Sequence, residues 1–271
     1  MKKIVLAVAL LLALFACSGG GGGGSESTPE TQEEIIVPVA PEPEPEPVEE
    51  IKIPTDLTSD EWLTLDINYT PSKPQFVQKL RDGEEQTIVI MGTSLSANTS
   101  YSSWVRLMRE ELTDMFGDKV SVVNLAKEKT SSEYGISILP EVIAEQPDVV
   151  FIEYAINDSS EFREMSIQDC YDNLNTIVQT ILTTFPDCEI IIQTTNPTFL
   201  EGTRVYLGDY YQTYRYYAAS RELLFIDYYP AWLEAFKDDP ELYKQYYFDT
   251  THPNLEGTET VIMPILREYI F

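Results

Sequence analysis

Five short runs rich in Ile, Val and Leu recur along the last two-thirds of the chain, at Thr87–Met91, Val120–Asn124, Val149–Tyr154, Glu189–Thr194 and Leu223–Asp227. Each is strand-length, close to continuously apolar and rich in branched residues, the pattern of a strand buried on both faces. Between the runs the apolar period lengthens to that of a helix. Trp104, Leu107, Met108, Leu112, Met115 and Phe116 set one such stripe. The spacing predicts helices over Tyr101–Phe116, Glu133–Glu145, Gln168–Phe185, Arg204–Ser220 and Leu255–Ile270, with a shorter one at Ala231–Phe236. Strands separated by helices cannot pair as hairpins. They form a parallel sheet with helices on both faces. In such α/β folds the functional crevice lies outside the carboxyl ends of the strands.

The chain before this pattern has other origins. Met1-Lys2-Lys3 is a cationic start, and Ile4–Ala16 is an unbroken apolar run, the length of a signal-peptide core and short for a membrane span. The run ends Leu14-Phe15-Ala16-Cys17, which resembles the bacterial lipobox. That resemblance implies lipidation at Cys17, a cell-envelope location, and the outer membrane in a Gram-negative cell, since residue 18 is Ser. The alternative is a plain secretory signal with a chance Cys. Residues 18–50 read as a linker: six glycines at Gly19–Gly24, alternating Pro and Glu at Pro41–Val48, and nine Glu with no Lys or Arg between Lys3 and Lys52. Glycine makes it flexible, Pro-Glu repeats extend it and like charges hold it open. Residues 51–86 fit no strand–helix repeat and are expected to wrap the domain formed by 87–271.

From Ile51 onward the chain carries 36 Asp and Glu against 16 Lys and Arg. So acidic a domain argues against nucleic acid and polyanionic partners. Cysteines are few, Cys17, Cys170 and Cys188, and there is one His. The last two cysteines flank a predicted helix about 22 Å long, far beyond the ~7 Å that a disulfide spans between Cα atoms. They are expected to be free thiols. No zinc site of the usual kind can be assembled from this set, and no cofactor is expected.

Four stretches can carry chemistry. In Thr87–Ser96 the first apolar run stops at Gly92 and delivers Ser94 on a tight turn before a helix, as a nucleophilic hydroxyl reaches a sheet edge. Asp249-Thr250-Thr251-His252-Pro253-Asn254 holds the only imidazole. Asp249 lies three residues before His252, so in a tight turn its carboxylate can meet one ring nitrogen and leave the other for Ser94. Tyr154-Ala155-Ile156-Asn157-Asp158 ends the third run and offers the Asn157 amide as an oxyanion donor. Asn124–Lys129 follows the second run and can add a backbone N–H. Each has a bland alternative, an ordinary turn or a satisfied loop histidine.

In their order, Gly92-Thr93-Ser94-Leu95, Asn124 to Lys129, Ala155-Ile156-Asn157-Asp158 and Asp249 to Asn254 resemble the SGNH hydrolases, also called the GDSL esterase family. The resemblance covers Thr87–Phe271 and implies a three-layer, flavodoxin-like α/β fold on a five-stranded parallel sheet. It implies Ser94 as nucleophile, His252 as general base, Asp249 as the residue that orients it, and Ser94, Lys129 and Asn157 as oxyanion donors. Residue 96 is Ser, so the Gly-x-Ser-x-Gly elbow of α/β-hydrolases is not met. Three positions depart from the family pattern. Thr93 stands for Asp beside the nucleophile, Ala155 for Gly, and Lys129 for the oxyanion-hole Gly. At Lys129 the backbone N–H survives, but a positive φ there strains a Lys by about 1 kcal/mol.

The expected activity is therefore that of an exported, lipid-anchored serine esterase. Its substrate is a small acyl ester, acetyl on carbohydrate foremost. An O-acetyltransferase with the same residues and a glycan-binding protein on an inactivated scaffold are the rival readings. The helix carrying Tyr206, Tyr210, Tyr211, Tyr214, Tyr216 and Tyr217 is expected to be mainly core, with a sugar-stacking wall as the alternative. Trp104 is expected to pack.

Overall fold

A computed structural model of the chain describes residues 69–97, 103–200, 204 and 206–271. Cys17, the linker and the first part of the predicted extension lie outside these residues. The five strands are β1 (Gln86–Gly92), β2 (Val120–Asn124), β3 (Val149–Glu153), β4 (Glu189–Gln193) and β5 (Leu224–Ile226). They pair in parallel in the order β2-β1-β3-β4-β5. The chain leaves β1 in one direction to make β2 and returns past it to make β3. The crevice between the carboxyl ends of β1 and β3 is thus the switch point at which such sheets bind ligands.

Side chains alternate across the sheet as period two requires. Val89, Met91, Val150, Ile152, Ile190 and Ile192 face one core. Ile88, Ile90, Val149, Phe151 and Ile191 face the other. The first face is covered by helices over Ile167–Thr184 and Leu207–Ser220, with two short helices at Ser132–Ser137 and Leu139–Ala144. The second is covered by helices over Phe76–Arg81, Trp104–Phe116, Tyr229–Phe236 and Met263–Ile270. Phe76, Val77 and Leu80 are fully enclosed there, so part of the segment before β1 belongs to the core.

Three predicted helices differ in form. The one expected over Glu133–Glu145 breaks at Ile138, because Pro140 has no N–H to offer the carbonyl one turn back. The last helix, expected over Leu255–Ile270, contains a wide turn at Thr258–Ile262. Pro264, just inside the following segment, removes another i to i−4 bond. The tyrosine-rich helix begins at Leu207 rather than Arg204. Its Tyr210, Tyr211, Tyr214 and Tyr217 are buried and build core, whereas Tyr216 is half-buried and Tyr206, just before the helix, is exposed. Cys170 and Cys188 are buried free thiols.

Candidate active site

β1 ends at Gly92, whose register partner across the sheet is Glu153 at the end of β3. A Cβ at position 92 would lie 2.5 Å from a Glu153 carboxylate oxygen, so only glycine lets the two strands close here. That close approach puts a carboxylate beneath the turn bearing Ser94. Glu153 Oε1 accepts from the Thr93 N–H at 2.8 Å and from Ser96 Oγ at 2.7 Å, and the Thr93 hydroxyl donates to the same carboxylate at 3.0 Å. The residues on either side of Ser94 are thus tied to one buried anion. Burial pushes the Glu153 carboxyl up to about 7, against the pull of those hydrogen bonds. Thr93, standing where the family has Asp, supplies two of the donors.

The short helix Ser94–Ala97 starts at Ser94, so the N–H of Ser94 has no partner inside it. The second donor segment is laced to the same turn. Lys127 N–H donates to the Gly92 carbonyl at 3.0 Å, and Asn124 Nδ2 donates to the Ser96 carbonyl at 2.8 Å. Lys129 takes a φ of +60°, the left-handed conformation that its Gly position in the family suggests. Its carbonyl accepts from the Arg163 guanidinium, which helps hold that conformation.

Asn157 lies one turn beyond β3 and is 8 % exposed. Its Nδ2 donates to the Thr130 carbonyl at 2.8 Å, and its Oδ1 accepts from Arg204 Nη2 at 3.2 Å. Having one donor and one acceptor as neighbours fixes which way the amide points. One Nδ2 hydrogen is left for an incoming oxygen. Arg204 also donates through Nε to the Ile156 carbonyl at 2.7 Å. Asp158 accepts from the Ser132 N–H at 2.9 Å, and burial pushes its carboxyl up to about 6 despite that bond.

His252 reaches this edge from the far end of the chain. Phe248 N–H donates to the His252 carbonyl, and Asn254 N–H to the Tyr246 carbonyl, each at 2.8 Å, so the stretch closes as a small loop. Asn196 Nδ2 holds that loop to the exit of β4 through the Thr251 carbonyl at 2.7 Å. Within it Asp249 Oδ1 accepts the N–H groups of Thr251 at 2.7 Å and His252 at 2.8 Å, leaving Oδ2 for His252 Nδ1 at 2.8 Å. Partial burial would raise the Asp249 carboxyl, but these hydrogen bonds outweigh it and hold the group below its ordinary value. The other ring nitrogen, Nε2, lies 2.9 Å from Ser94 Oγ. With Nδ1–H donated to the carboxylate, Nε2 is the acceptor and can take the hydroxyl proton.

A pocket opens beside Ser94 and His252. It has about 30 Å³ of space, room for about two water molecules. Leu95, Trp104, Pro253 and Ile262 form apolar parts of its wall. Trp104 therefore borders the site as well as packing 5.6 Å from Phe151.

The sequence-predicted residues Ser94, His252, Asp249, Asn157 and Lys129 thus gather at one edge of the sheet. Four residues that sequence reading did not single out stand with them: Glu153, Arg204, Ser96 and Arg163. Only Glu153 had a visible signal, as the one charged residue inside an otherwise apolar run.

A sequence profile of the GDSL-like lipase/acylhydrolase family matches residues 88–259. No curated protein matches the chain in sequence. Among solved structures, the fold is similar to a lipase/acylhydrolase from Enterococcus faecalis, with 23 % identity, a TM-score of 0.56, and coverage of 68 % of this chain and 94 % of that one. It is similar to an acetylxylan esterase from Geobacillus stearothermophilus, solved as a catalytic mutant, with 21 % identity, a TM-score of 0.56, and coverage of 70 % and 96 %. A two-domain esterase active on acetylated mannans also matches, at 15 % identity and a TM-score of 0.57, over 73 % of this chain and 53 % of that one.

Proposed function

The chain belongs to the GDSL-like lipase/acylhydrolase family and is an ester hydrolase; from that premise we propose that it removes small acyl groups, acetyl foremost, from carbohydrate, with Ser94, His252 and Asp249 as its catalytic residues. Ser94 Oγ attacks the acyl carbon while His252 Nε2 takes its proton. Asp249 holds the imidazole in the tautomer this needs and stabilises the imidazolium that forms. The negative charge that develops on the carbonyl oxygen is met by the N–H groups of Ser94 and Lys129 and by the Asn157 amide. Collapse of the intermediate breaks the ester C–O bond, and the imidazolium returns its proton to the departing sugar oxygen. Water then repeats the sequence on the acyl-enzyme and releases the acid.

The observation that carries this reading is the unbroken hydrogen-bonded path from Asp249 through the only imidazole to Ser94, 2.8 Å and then 2.9 Å. Support for a carbohydrate ester comes from the two similar folds that act on acetylated xylan and mannan. The small pocket beside Ser94 supports a short acyl group. Treatment with a fluorophosphonate, followed by peptide mass mapping, is expected to label Ser94, and Ser94→Ala is expected to abolish 4-nitrophenyl acetate hydrolysis. Labelling elsewhere, or equal rates for wild type and variant, refutes the assignment.

The same proposal includes export and a lipid anchor at Cys17, which would place the domain on a tether at the bacterial cell envelope. The apolar run ending at Cys17 and the glycine and Pro-Glu linker after it support this. In expressing cells wild type is expected in the membrane fraction and Cys17→Ser in the soluble fraction. Equal partition refutes the anchor.

A further inference from the structure

Arg204 enters the site from the segment between β4 and the helix Leu207–Ser220, where its carbonyl accepts from the Leu207 N–H at 3.2 Å. Its guanidinium turns one edge to Ile156 and Asn157. Nε donates to the Ile156 carbonyl at 2.7 Å, and Nη2 donates to Asn157 Oδ1 at 3.2 Å. The planar fork thus grips a backbone oxygen and a side-chain oxygen on consecutive residues, a geometry that the point charge of Lys does not reproduce. Burial lowers its pKa from the ordinary value, and the like charge of Arg163 adds to that. A guanidinium keeps its charge regardless. Among the described residues no carboxylate pairs with it. A half-buried cation without an acid is costly to keep. Arg204 directs its donors at a neutral amide instead.

That placement has two consequences for Asn157. The first is geometric. Asn157 Nδ2 donates to the Thr130 carbonyl at 2.8 Å. One bond at Nδ2 leaves the amide free to swing about it. A second bond at Oδ1 fixes the amide plane, and with it the direction of the remaining N–H. The second consequence is electronic. A hydrogen bond from a cation draws electron density toward Oδ1 and makes the N–H groups at the other end of the amide stronger donors. We infer that Arg204 is a positioning residue for the ester hydrolysis, holding and polarising the Asn157 amide so that its free N–H meets the oxyanion. The inference rests on the reading of Asn157 as an oxyanion donor. A carboxylate beside Arg204 would compete with Asn157 for the fork, which accounts for a cation kept without one.

The test is a double-variant cycle on 4-nitrophenyl acetate with wild type, Arg204→Met, Asn157→Ala and the two combined. Arg204→Met is expected to lower kcat by roughly tenfold or more, less than the ~10²–10³ that loss of the donor itself costs, with KM within about twofold. In the Asn157→Ala background the same substitution is expected to cost less than about threefold. Equal losses in both backgrounds mark a merely structural arginine and overturn the inference. So does a wild-type kcat in Arg204→Met beside an impaired Asn157→Ala, or a loss confined to KM. Should Arg204→Met fail to fold, Arg204→Lys, which keeps a cation but lacks the fork, takes its place in the cycle with the same outcomes. If Asn157→Ala itself keeps the wild-type kcat, the oxyanion reading of Asn157 falls and this inference with it.

Discussion

Glu153→Gln isolates the charge of the buried carboxylate from its shape. Gln keeps an oxygen to accept from the Thr93 N–H, and its NH2 can face the Thr93 or Ser96 hydroxyl, either of which rotates to accept. What disappears is the ionisable proton. In the native protein the carboxyl is raised from its ordinary 4.5 to about 7, chiefly by burial. The native state therefore binds more protons than the unfolded chain between those values. Stability from this group is greatest below the unfolded value and falls as pH rises through the native one. Between pH 5 and pH 8.5 the integrated loss is about 2–3 kcal/mol.

Urea unfolding of wild type and Glu153→Gln at those two pH values measures it. The variant is expected to gain on wild type by about 2–3 kcal/mol on going from pH 5 to pH 8.5. Asp158, itself raised to about 6, titrates in both proteins and drops out of the difference to first order. A stability difference that is the same at both pH values, within 0.5 kcal/mol or so, refutes the claim that Glu153 is a buried titrating anion. If the gain appears together with a loss of esterase rate, the charge is being kept beneath Ser94 at a cost in stability.

Asp249→Asn keeps the loop bonds at Oδ1 but removes the carboxylate at Nδ1, and is expected to lower kcat by roughly 10²–10⁴ with KM little changed; a loss below threefold refutes the orienting role. Asn157→Ala removes the amide proposed as an oxyanion donor, so kcat is expected to fall roughly 10²–10³ in steady-state assays with an acetyl ester. Lys129→Gly relieves the positive φ while keeping the N–H, and thermal unfolding is expected to show unchanged or higher stability, by up to about 1 kcal/mol, with activity retained. Lower activity would mean that the Lys129 side chain itself contributes.

The sheet and the Asp249–His252 pair were legible because each is encoded locally, while the meeting of His252 with Ser94, 158 positions away, was expected from the order of the four stretches and the family they resemble. Apolar runs of strand length announce the strands. Gly92 announces the turn, and a three-residue spacing brings Asp249 to the imidazole. Lys129 was legible only through the family resemblance: a lysine at the family's glycine position is strained if the backbone there needs a positive φ, and +60° is what it adopts. The breaks at Pro140 and Pro264 were visible as prolines, but the helical period around them is strong enough to hide a fault of one turn.

The residues that sequence reading missed depend on partners distant in the chain. Arg204 has meaning only against Asn157, 47 positions away, and Glu153 only against Thr93 and Ser96, about 60 away. A carboxylate in the middle of Val-Val-Phe-Ile-Glu-Tyr reads as an irregularity until the register sets it opposite Gly92. The glycine and the acid then explain each other. One has no side chain because the other needs the space, and the acid tolerates burial because the turn beside it supplies three donors. Thr93 closes that logic. Replacing an acid with a neutral donor next to Ser94 keeps two negative charges from crowding one turn, and so lets Glu153 be the single anion that fixes the neighbours of Ser94.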